Sequence, residues 1–250
     1  MKTAAHLGGE GGDCVITFTN EDCMDGMSRY ADKHFDLAIV DPPYFSGPER
    51  RTYYGSKVSR SGVTRTYHKT DKWTVPGPRY FEELERVSKH YIVWGCNYYD
   101  WHFAPGRIVW DKCNGMSTFS DAEIAATDLI RTVRLYPFMW NGMCQGRSIY
   151  DGRTQQGNKT LNELRIHPTQ KPVMLYEWLL LTFARQGWRI LDTHVGSASS
   201  LLACHRLGFD VVGFELDAEN YKRARHRIDE ELAQLSFLDP RDLTFSGGLI

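Results

Sequence analysis

An acidic residue, two prolines and an aromatic residue follow an apolar run near the N-terminus. Phe35–Val40 has the pattern of a buried β-strand, and Asp41-Pro42-Pro43-Tyr44 follows it directly. Proline has a fixed φ and no backbone N–H, so the pair stiffens the loop while its carbonyls stay free to accept hydrogen bonds. Open α/β sheets bind ligands at the carboxyl ends of their strands. We therefore predict a pocket for a planar base that carries an amino group; a strand ended by a plain proline turn is the alternative.

The composition is that of one α/β domain. The chain has 250 residues, of which 42% are hydrophobic, and we expect a single domain over residues 1–250. Its formal net charge is -1, so any basic surface for nucleic acid must be local. The six cysteines form no CxxC pair and the histidines have no metal spacing, which predicts no metal site and a cytoplasmic protein. No apolar stretch is long enough to cross a bilayer.

Strand patterns alternate with helical patterns along most of the chain, which predicts a doubly wound, mostly parallel sheet. Strands are expected at 14–18, 35–40, 90–94, 107–112, 131–140, 189–192 and 209–216, and helices at 24–33, 79–89, 173–184, 201–207 and 217–235. Only a short helical piece at 119–125 separates strands 107–112 and 131–140, which predicts an antiparallel pair at one edge. We expect Trp94, Trp110 and Trp140 in the core, and the basic cluster at 222–227 on a solvated helix face.

A second predicted site lies at the end of strand 189–192, where a small-residue turn leads into a helix. A strand, such a turn, a helix and a strand ending in an acid form a nucleoside-binding pattern. Glu215 lies nineteen positions after Gly196, near the spacing at which an acid meets ribose hydroxyls. A dinucleotide needs several glycines beside its pyrophosphate, and only Gly196 is present. S-adenosylmethionine has a ribose and no pyrophosphate, so we expect it as the cofactor.

Several short motifs resemble those of amino-methylating DNA methyltransferases, the enzymes that modify adenine N6 or cytosine N4. They are Asp22-Cys23, Asp41-Pro42-Pro43-Tyr44, Trp94-Gly95, Trp110-Asp111-Lys112, His167-Pro168-Thr169-Gln170-Lys171-Pro172 and the turn at 192–200. The catalytic motif precedes the cofactor turn, as in the β arrangement of this family. The resemblance implies a circularly permuted, seven-stranded, Rossmann-like methyltransferase sheet. Strand 14–18 then lies beside strand 209–216, and Asp22 and Glu215 meet around one nucleoside.

The resemblance also implies the roles of individual residues. Asp41, Pro42, Pro43 and Tyr44 are the expected catalytic residues: the Asp41 carboxylate and the Pro42 carbonyl accept both N–H hydrogens of a flipped base, and Tyr44 stacks on it. Lys171 is expected to meet the methionine carboxylate of the cofactor. The expected cofactor-binding residues are Asp22, Cys23, Asp41, His167, Thr169, Lys171, Asp192, His194, Gly196, Ser197, Glu215 and Leu216.

The cofactor turn departs from the family pattern at four positions. Thr193 and His194 stand where the family has Pro and Phe, and Ala198 and Ser199 stand where it has Gly and Thr. We expect the cofactor to lose packing at His194, and the Ala198 methyl to lie where the backbone should approach the ligand.

Two basic segments are predicted to contact double-stranded DNA. Residues 46–77 mix Arg and Lys with Tyr and Trp and have no convincing helix or strand period, which suits phosphate contact and base stacking. A solvated loop is the alternative for this segment. The family arrangement places target recognition at about 131–165. The expected DNA-binding residues are Arg50, Arg51, Lys57, Arg60, Arg147 and Arg153.

The sequence thus predicts a site-specific adenine-N6 DNA methyltransferase of the restriction–modification type. Adenine is favoured because aspartate leads the catalytic motif, whereas cytosine-N4 enzymes more often have serine there. A cytosine-N4 enzyme, a non-catalytic DNA-binding relative and a methyltransferase acting on RNA or a protein amide stay open. The short target-recognition segment also leaves open a partner subunit, including a homodimer.

Overall fold

The computed structural model describes residues 5–7, 14–44, 55–58, 64–67, 74–115, 120–141, 144–146, 161–167 and 169–236. Strands and helices alternate along much of this part of the chain. The strands are β1 (Ala5–Leu7), β2 (Ile16–Asn20), β3 (Phe35–Val40), β4 (Gly55–Val58), β5 (Thr64–Tyr67), β6 (Ser88–Trp94), β7 (Gly106–Asp111), β8 (Ala122–Thr127), β9 (Val133–Pro137), β10 (Trp140–Asn141), β11 (Cys144–Gln145), β12 (Arg189–Asp192) and β13 (Asp210–Glu215). The helices are α1 (Cys23–Met27), α2 (Pro78–Val87), α3 (Val173–Phe183), α4 (Ser199–Leu207) and α5 (Ala218–Ser236).

Nine described strands form one sheet, in the order β1-β2-β13-β12-β3-β6-β8-β7-β9. The five from β2 to β6 in that order are parallel, so their carboxyl ends lie at one edge. The pairing of β2 with β13, with Ile16 opposite Val211, confirms that the N-terminal strand lies beside a strand far along the chain. The Rossmann-like α/β class and the permuted order are confirmed. The strand count exceeds the expected seven by β1 and β8.

The edge beyond β6 differs from expectation. β8 is antiparallel to both β6 and β7, whereas β7 and β9 are parallel to each other. The expectation of a short helix at 119–125 is therefore wrong. The expectation that strands 107–112 and 131–140 pair in an antiparallel way is wrong as well. Ala125, Ala126 and Thr127 are buried within the sheet, and pairing on both sides outweighs the local capping propensity of Asp121.

Residues 46–77 contain two paired strands, which the sequence did not reveal. β4 and β5 pair in an antiparallel hairpin, with Gly55 opposite Tyr67 and Val58 opposite Thr64. The expectation of a segment without strands is wrong. The two strands form a sheet separate from the main one. Their sequences hold mostly polar and basic residues, so they lack the alternation of apolar and polar residues by which a strand is recognised.

Helices cover both faces of the main sheet. Leu37 and Ile39 on β3 belong to the cluster that includes α3, α4 and α5, while Ala38 and Val40 belong to the cluster that includes α1 and α2. The three tryptophans expected in the core are buried. α4 ends at Gly208, whose φ of 73° favours glycine, and the Asp217 carboxylate caps α5, both as expected. No helix of the described residues has the length and apolar character needed to span a membrane.

Candidate active site

Four charged side chains form a row at the carboxyl edge of the sheet. Asp41 follows β3, Lys171 precedes α3, Glu123 lies on β8 and Lys112 follows β7. The Lys171 ammonium contacts the Asp41 carboxylate and lies 2.9 Å from Glu123 Oε2. Lys112 Nζ lies 2.6 Å from the other oxygen, Glu123 Oε1. The row therefore alternates in sign, with Lys171 shared between two carboxylates.

Tyr44 joins this row through its hydroxyl group. The hydroxyl donates to Asp41 Oδ1 and accepts a hydrogen bond from Lys171 Nζ at 2.8 Å. Its ring stacks on the exposed ring of Tyr98 at 5.2 Å between centroids and 9° between planes. Gly95 makes room for Tyr44, because a Cβ at Gly95 would lie 2.2 Å from the tyrosine ring, and its φ is +70°. The turn after β6 is thus built around the catalytic motif.

The Pro42 carbonyl is not free, which corrects the sequence-based expectation. It accepts a hydrogen bond from the Tyr99 hydroxyl, with 2.7 Å between the oxygens. Sequence reasoning missed this because Tyr99 lies on another loop. A carbonyl oxygen has two lone pairs, so Pro42 can still accept a second hydrogen bond.

Burial and neighbouring charges set the protonation of the row. Burial raises the pKa of Asp41 above its usual value, although the Lys171 ammonium opposes that shift. Burial would also raise the pKa of Glu123, but Lys171 and Lys112 together lower it to about 2. Burial acts to lower the pKa of Lys171, and the two carboxylates outweigh it, so that pKa is raised. Lys171 is therefore a cation, and Glu123 is its fully ionised partner.

A cavity of about 560 Å³ adjoins this row, a size typical of small-molecule sites. Eleven of the residues expected to bind the cofactor line it: Asp22, Cys23, Asp41, His167, Thr169, Lys171, His194, Gly196, Ser197, Glu215 and Leu216. The twelfth, Asp192, is buried and outside the lining; its carboxylate accepts hydrogen bonds from Ser200 Oγ and the His194 N–H. Asp192 therefore contacts the turn.

The Glu215 carboxylate holds the backbone beside the cavity. Its oxygens accept from the Gly196 N–H at 2.8 Å and the Asp217 N–H at 2.9 Å. Asp22 lines the same cavity, and the Glu21 N–H bonds to the Glu215 carbonyl, so strands β2 and β13 bring the two acids together as expected. Burial raises the pKa of Glu215 to about 7, despite the two N–H donors.

The substituted turn residues are integrated into the protein. His194 Nδ1 lies 2.9 Å from Thr193 Oγ1, which lies 2.6 Å from the Tyr80 hydroxyl. Burial lowers the pKa of His194 to about 4, so the ring is neutral near pH 7. Ala198 is fully buried, belongs to the core cluster and is absent from the cavity lining. The expectation that its methyl faces the ligand is therefore wrong; its cost is instead a φ of +65°, unfavourable for a residue with a Cβ.

Arg227 secures this turn from α5, which corrects the expectation that the cluster at 222–227 is a solvated face. Its guanidinium donates to the Ser197 carbonyl at 2.7 Å and to Ser199 Oγ at 3.1 Å. It also pairs with Glu163 Oε1 at 2.6 Å, and the other Glu163 oxygen accepts from the Val173 N–H at the start of α3. One ion pair thus connects the cofactor turn with the helix that follows Lys171.

Comparison with known sequences finds similarity to DNA methylases. The profile of a DNA methylase family matches residues 139–226, which hold Lys171 and the cofactor turn. The chain is 24% identical over 251 residues to Type II methyltransferase M.HpaI of Haemophilus parainfluenzae, covering 87% of this chain and 76% of the relative. It is 26% identical over 215 residues to the putative methylase YubD of Escherichia coli K12, covering 83% and 87%.

Comparison with solved structures shows a shared fold. PvuII DNA methyltransferase, described as cytosine-N4-specific, superposes with a TM-score of 0.51 and 10% identity, covering 88% of this chain and 90% of its own. Residues 139–226 are thus similar to a DNA methylase family, and two methyltransferase relatives align with most of the chain. The chain is an S-adenosylmethionine-dependent DNA methyltransferase, as the small-residue turn and the ordered motifs predicted.

The cavity of this methyltransferase fits that cofactor. Carboxylates at Asp22 and Glu215 can accept from ribose hydroxyls, and they follow β2 and β13. The buried Lys171 ammonium, beside Asp41 at the end of β3, can meet a carboxylate. Since β12 lies between β13 and β3, these groups are spread along the edge as an elongated ligand requires.

Most expected DNA-binding residues lie outside the described residues: Arg50, Arg51, Arg60, Arg147 and Arg153. The sixth, Lys57, is on β4 opposite Arg65. Part of the expected target-recognition segment belongs to the protein core. Strand β9 is the edge strand of the main sheet, and Trp140 is buried.

Sequence reasoning missed Glu123, Tyr98, Tyr99, Glu163 and Arg227. The family-like Trp110-Asp111-Lys112 motif was a signal for Lys112, the partner of Glu123. No local pattern marked the other four, because their partners come from distant parts of the chain.

Proposed function

We propose that this methyltransferase transfers a methyl group from S-adenosylmethionine to N6 of an adenine flipped out of duplex DNA. The observation that carries the proposal is the position of Asp41, which belongs both to the charged row with Tyr44 and to the cofactor cavity. A base bound at Asp41 would therefore meet the cofactor, because the carboxylate lies where the two sites join.

The reaction demands orientation of a weakly nucleophilic amine. S-adenosylmethionine supplies an activated methyl group when bound. Asp41 and the remaining lone pair of the Pro42 carbonyl accept the two N–H hydrogens, which localises the nitrogen lone pair and aims it into the cavity. Positive charge grows on the nitrogen as the new bond forms, and the Asp41 carboxylate stabilises that charge most strongly in the transition state. No strong base is needed, because the methylated ammonium is itself a good acid.

The free enzyme must rearrange to accept the base. The Tyr44 hydroxyl and the Lys171 ammonium both contact the Asp41 carboxylate. The amine replaces the Tyr44 hydroxyl at Asp41 Oδ1, and the released ring stacks on the base. Extrusion of a paired base costs a few kcal/mol. Stacking on an aromatic ring returns roughly 1–3 kcal/mol.

Adenine is proposed over cytosine because aspartate leads the motif. A cytosine-N4 enzyme is the second candidate, and the fold likeness to a cytosine-N4-specific enzyme supports neither base, since the fold is shared across the family. A relative that only binds DNA would transfer no methyl group, and an enzyme for RNA or protein would methylate those molecules. Methyl-labelled cofactor therefore distinguishes these alternatives from the two DNA methyltransferases.

Residues 46–77 and 131–165 are proposed to grip the DNA, the first through phosphates and the second through target recognition. Local basic character supports this role, because the net charge of the whole chain is only -1. We also propose that the enzyme works in a restriction–modification system. In this proposal, target recognition is shared with a partner subunit, which includes a second copy in a homodimer.

Substitution of Asp41 tests the mechanism. Asp41→Asn and Asp41→Ala should lower single-turnover methylation of duplex DNA by roughly 10²-fold or more, since the carboxylate no longer stabilises the charge of the transition state. Cofactor affinity, measured by calorimetry, should stay within a few-fold of the wild-type value. Asp32→Asn, at a carboxylate that pairs with Arg86 on the surface, is the control. Full methylation by Asp41→Ala would refute the mechanism.

A further inference from the structure

Glu123 has no role in the proposed mechanism, yet it lies inside the charged row. Its side chain is only 21% exposed, and its oxygens lie 2.6 Å from Lys112 Nζ and 2.9 Å from Lys171 Nζ. Its Oε2 is also 3.4 Å from the Tyr44 hydroxyl. A carboxylate placed between two cations, within reach of a catalytic residue, influences where those cations reside.

We propose that Glu123 and Lys112 are positioning residues for methyl transfer: Glu123 competes with Asp41 for the Lys171 ammonium, and Lys112 sets how strongly it competes. This inference rests on the proposed role of Asp41 as the acceptor of the target amine. It concerns residues that touch neither the base nor the cofactor and act through Lys171.

The physical argument concerns the acceptor strength of Asp41. A carboxylate that alone holds a buried lysine is largely satisfied by that cation and is a weak acceptor for an incoming amine. Here Lys171 is 3% exposed at its side chain and divides its donors among Asp41, Glu123 and the Tyr44 hydroxyl. Asp41 thus keeps the nearby positive charge that favours ionisation, while part of its acceptor capacity stays available to the amine.

The groups that face this pair come from several elements. Lys112 follows β7, Lys171 precedes α3, and Tyr44 lies in the Asp41 loop. Tyr99 contacts the Pro42 carbonyl and Tyr176 lies on α3, both with pKa values raised by burial first and by Asp41 second. The tyrosines are neutral at the pH of the test. Asp192, at the end of β12, also interacts with Asp41 and Lys171, and burial raises its pKa to about 6. Asp192 is the same in every variant compared, so differences between the variants come from the two lysines and the two carboxylates of the row.

Two charge-removing variants should act in opposite directions. Glu123→Gln removes a negative neighbour and leaves Lys171 to Asp41, so the pKa of the Asp41 carboxyl should fall, by on the order of one pH unit. Lys112→Gln removes a positive charge and strengthens the hold of Glu123 on Lys171, so the same pKa should rise. Structural damage alone gives no reason for opposite shifts.

The measurement is a ¹³C NMR titration of aspartate carboxyl groups in the full-length protein without cofactor. The Asp41 resonance is assigned by its loss in Asp41→Asn. Glu83→Gln, at the i,i+3 pair with Arg86 on α2, is the control and should leave the resonance unmoved. Opposite shifts in the two variants support the inference, whereas no shift, or shifts of the same sign, overturn it. If Glu123→Gln does not fold, the direction of the Lys112→Gln shift decides.

The consequence for catalysis is measured separately. The acid limb of the single-turnover methylation rate should follow the Asp41 titration, moving to lower pH in Glu123→Gln and to higher pH in Lys112→Gln. The rate plateau should fall in Glu123→Gln, because Asp41 is then more tightly held by Lys171. Carboxyl shifts without a matching movement of the rate limb would contradict the proposed role of Asp41 while leaving the electrostatic competition intact, so the two failures are distinguishable.

Discussion

The Tyr99 hydroxyl donates a hydrogen bond to the Pro42 carbonyl, with 2.7 Å between the two oxygens. This contact joins the turn after β6 to the catalytic loop after β3, and it fixes the direction of one acceptor of the proposed amine site. Pro42 cannot use its own N–H to fix the loop, so the position of its carbonyl depends on such outside contacts.

Removal of this hydroxyl should slow methyl transfer. Tyr99→Phe loses a hydrogen bond worth about 1 kcal/mol, so we expect a rate several-fold lower and a similar loss of unfolding free energy. Tyr98→Phe is the matched control, because Tyr98 contacts Tyr44 through its ring. Single-turnover rates and urea unfolding measure the two effects. A Tyr99→Phe rate equal to that of the control would show that the contact does not orient the carbonyl.

Cofactor affinity should depend on the protonation of Glu215. Its pKa of about 7 means that the free protein carries it mostly protonated below that pH, whereas ribose hydroxyls donate best to the ionised form. Affinity for S-adenosylmethionine should therefore rise by up to about tenfold from pH 6 to pH 8. Calorimetry at several pH values measures this, and Glu215→Gln should flatten the dependence, whereas Glu219→Gln on the surface of α5 should preserve it.

The same carboxyl has the opposite effect on stability. Because its folded pKa lies above its ordinary value of 4.5, its contribution to stability is fully present below pH 4.5 and is lost as the pH rises through 7.

The affinity prediction has its own contradicting outcome. If the pH dependence of cofactor affinity is the same in Glu215→Gln as in the wild type, Glu215 does not contact the ribose.

The Arg227–Glu163 pair should matter more than a surface pair on the same helix. Arg227→Met leaves a mostly buried carboxylate without its cationic partner and releases the Ser197 carbonyl, so we expect a loss of about 3 kcal/mol in unfolding free energy and weaker cofactor binding. Arg225→Met breaks an exposed pair with Asp229 and should cost less than about 0.5 kcal/mol. Equal costs for both variants would show that Arg227 does not secure the turn.

The basic segment can be tested through the salt dependence of DNA binding. Neutralising Arg50, Arg51 and Arg60 together should reduce the slope of log affinity against log salt by roughly 0.9 for each phosphate that the protein no longer neutralises. A control triple, Arg189, Arg206 and Arg225 changed to Gln, removes the same charge from β12, α4 and α5. If the first triple leaves the slope unchanged, the segment does not bind phosphates.

Elements with a strong local pattern could be predicted from the sequence. Strands β3 and β12 are short apolar runs bounded by clear breakers, and α4 ends at a glycine that its φ favours. β8 could not be predicted, because its alanines carry no strand preference and the pairing of two neighbours makes it a strand. The strand propensity of a segment predicts little where strands on both sides of it satisfy its backbone hydrogen bonds.

The cofactor side of the site was predictable because its residues follow strands whose order the motifs imply. The contacts of the charged row were not, since Glu123 reaches Lys171 from 48 residues away and Tyr99 reaches Pro42 from 57. Ala198 shows a further limit: the motif predicted a methyl against the ligand, but the residue is buried in the core cluster and has a φ of +65°.

The most direct test of the central claim is the identity of the methylated product. The protein should be incubated with methyl-labelled S-adenosylmethionine and duplex DNA, RNA or protein, and each acceptor then digested and separated by chromatography. We predict label in duplex DNA as N6-methyldeoxyadenosine, and none with Asp41→Ala. Label in N4-methyldeoxycytidine would keep the mechanism and change the base, whereas label only in RNA or protein, or in no acceptor, would contradict the account.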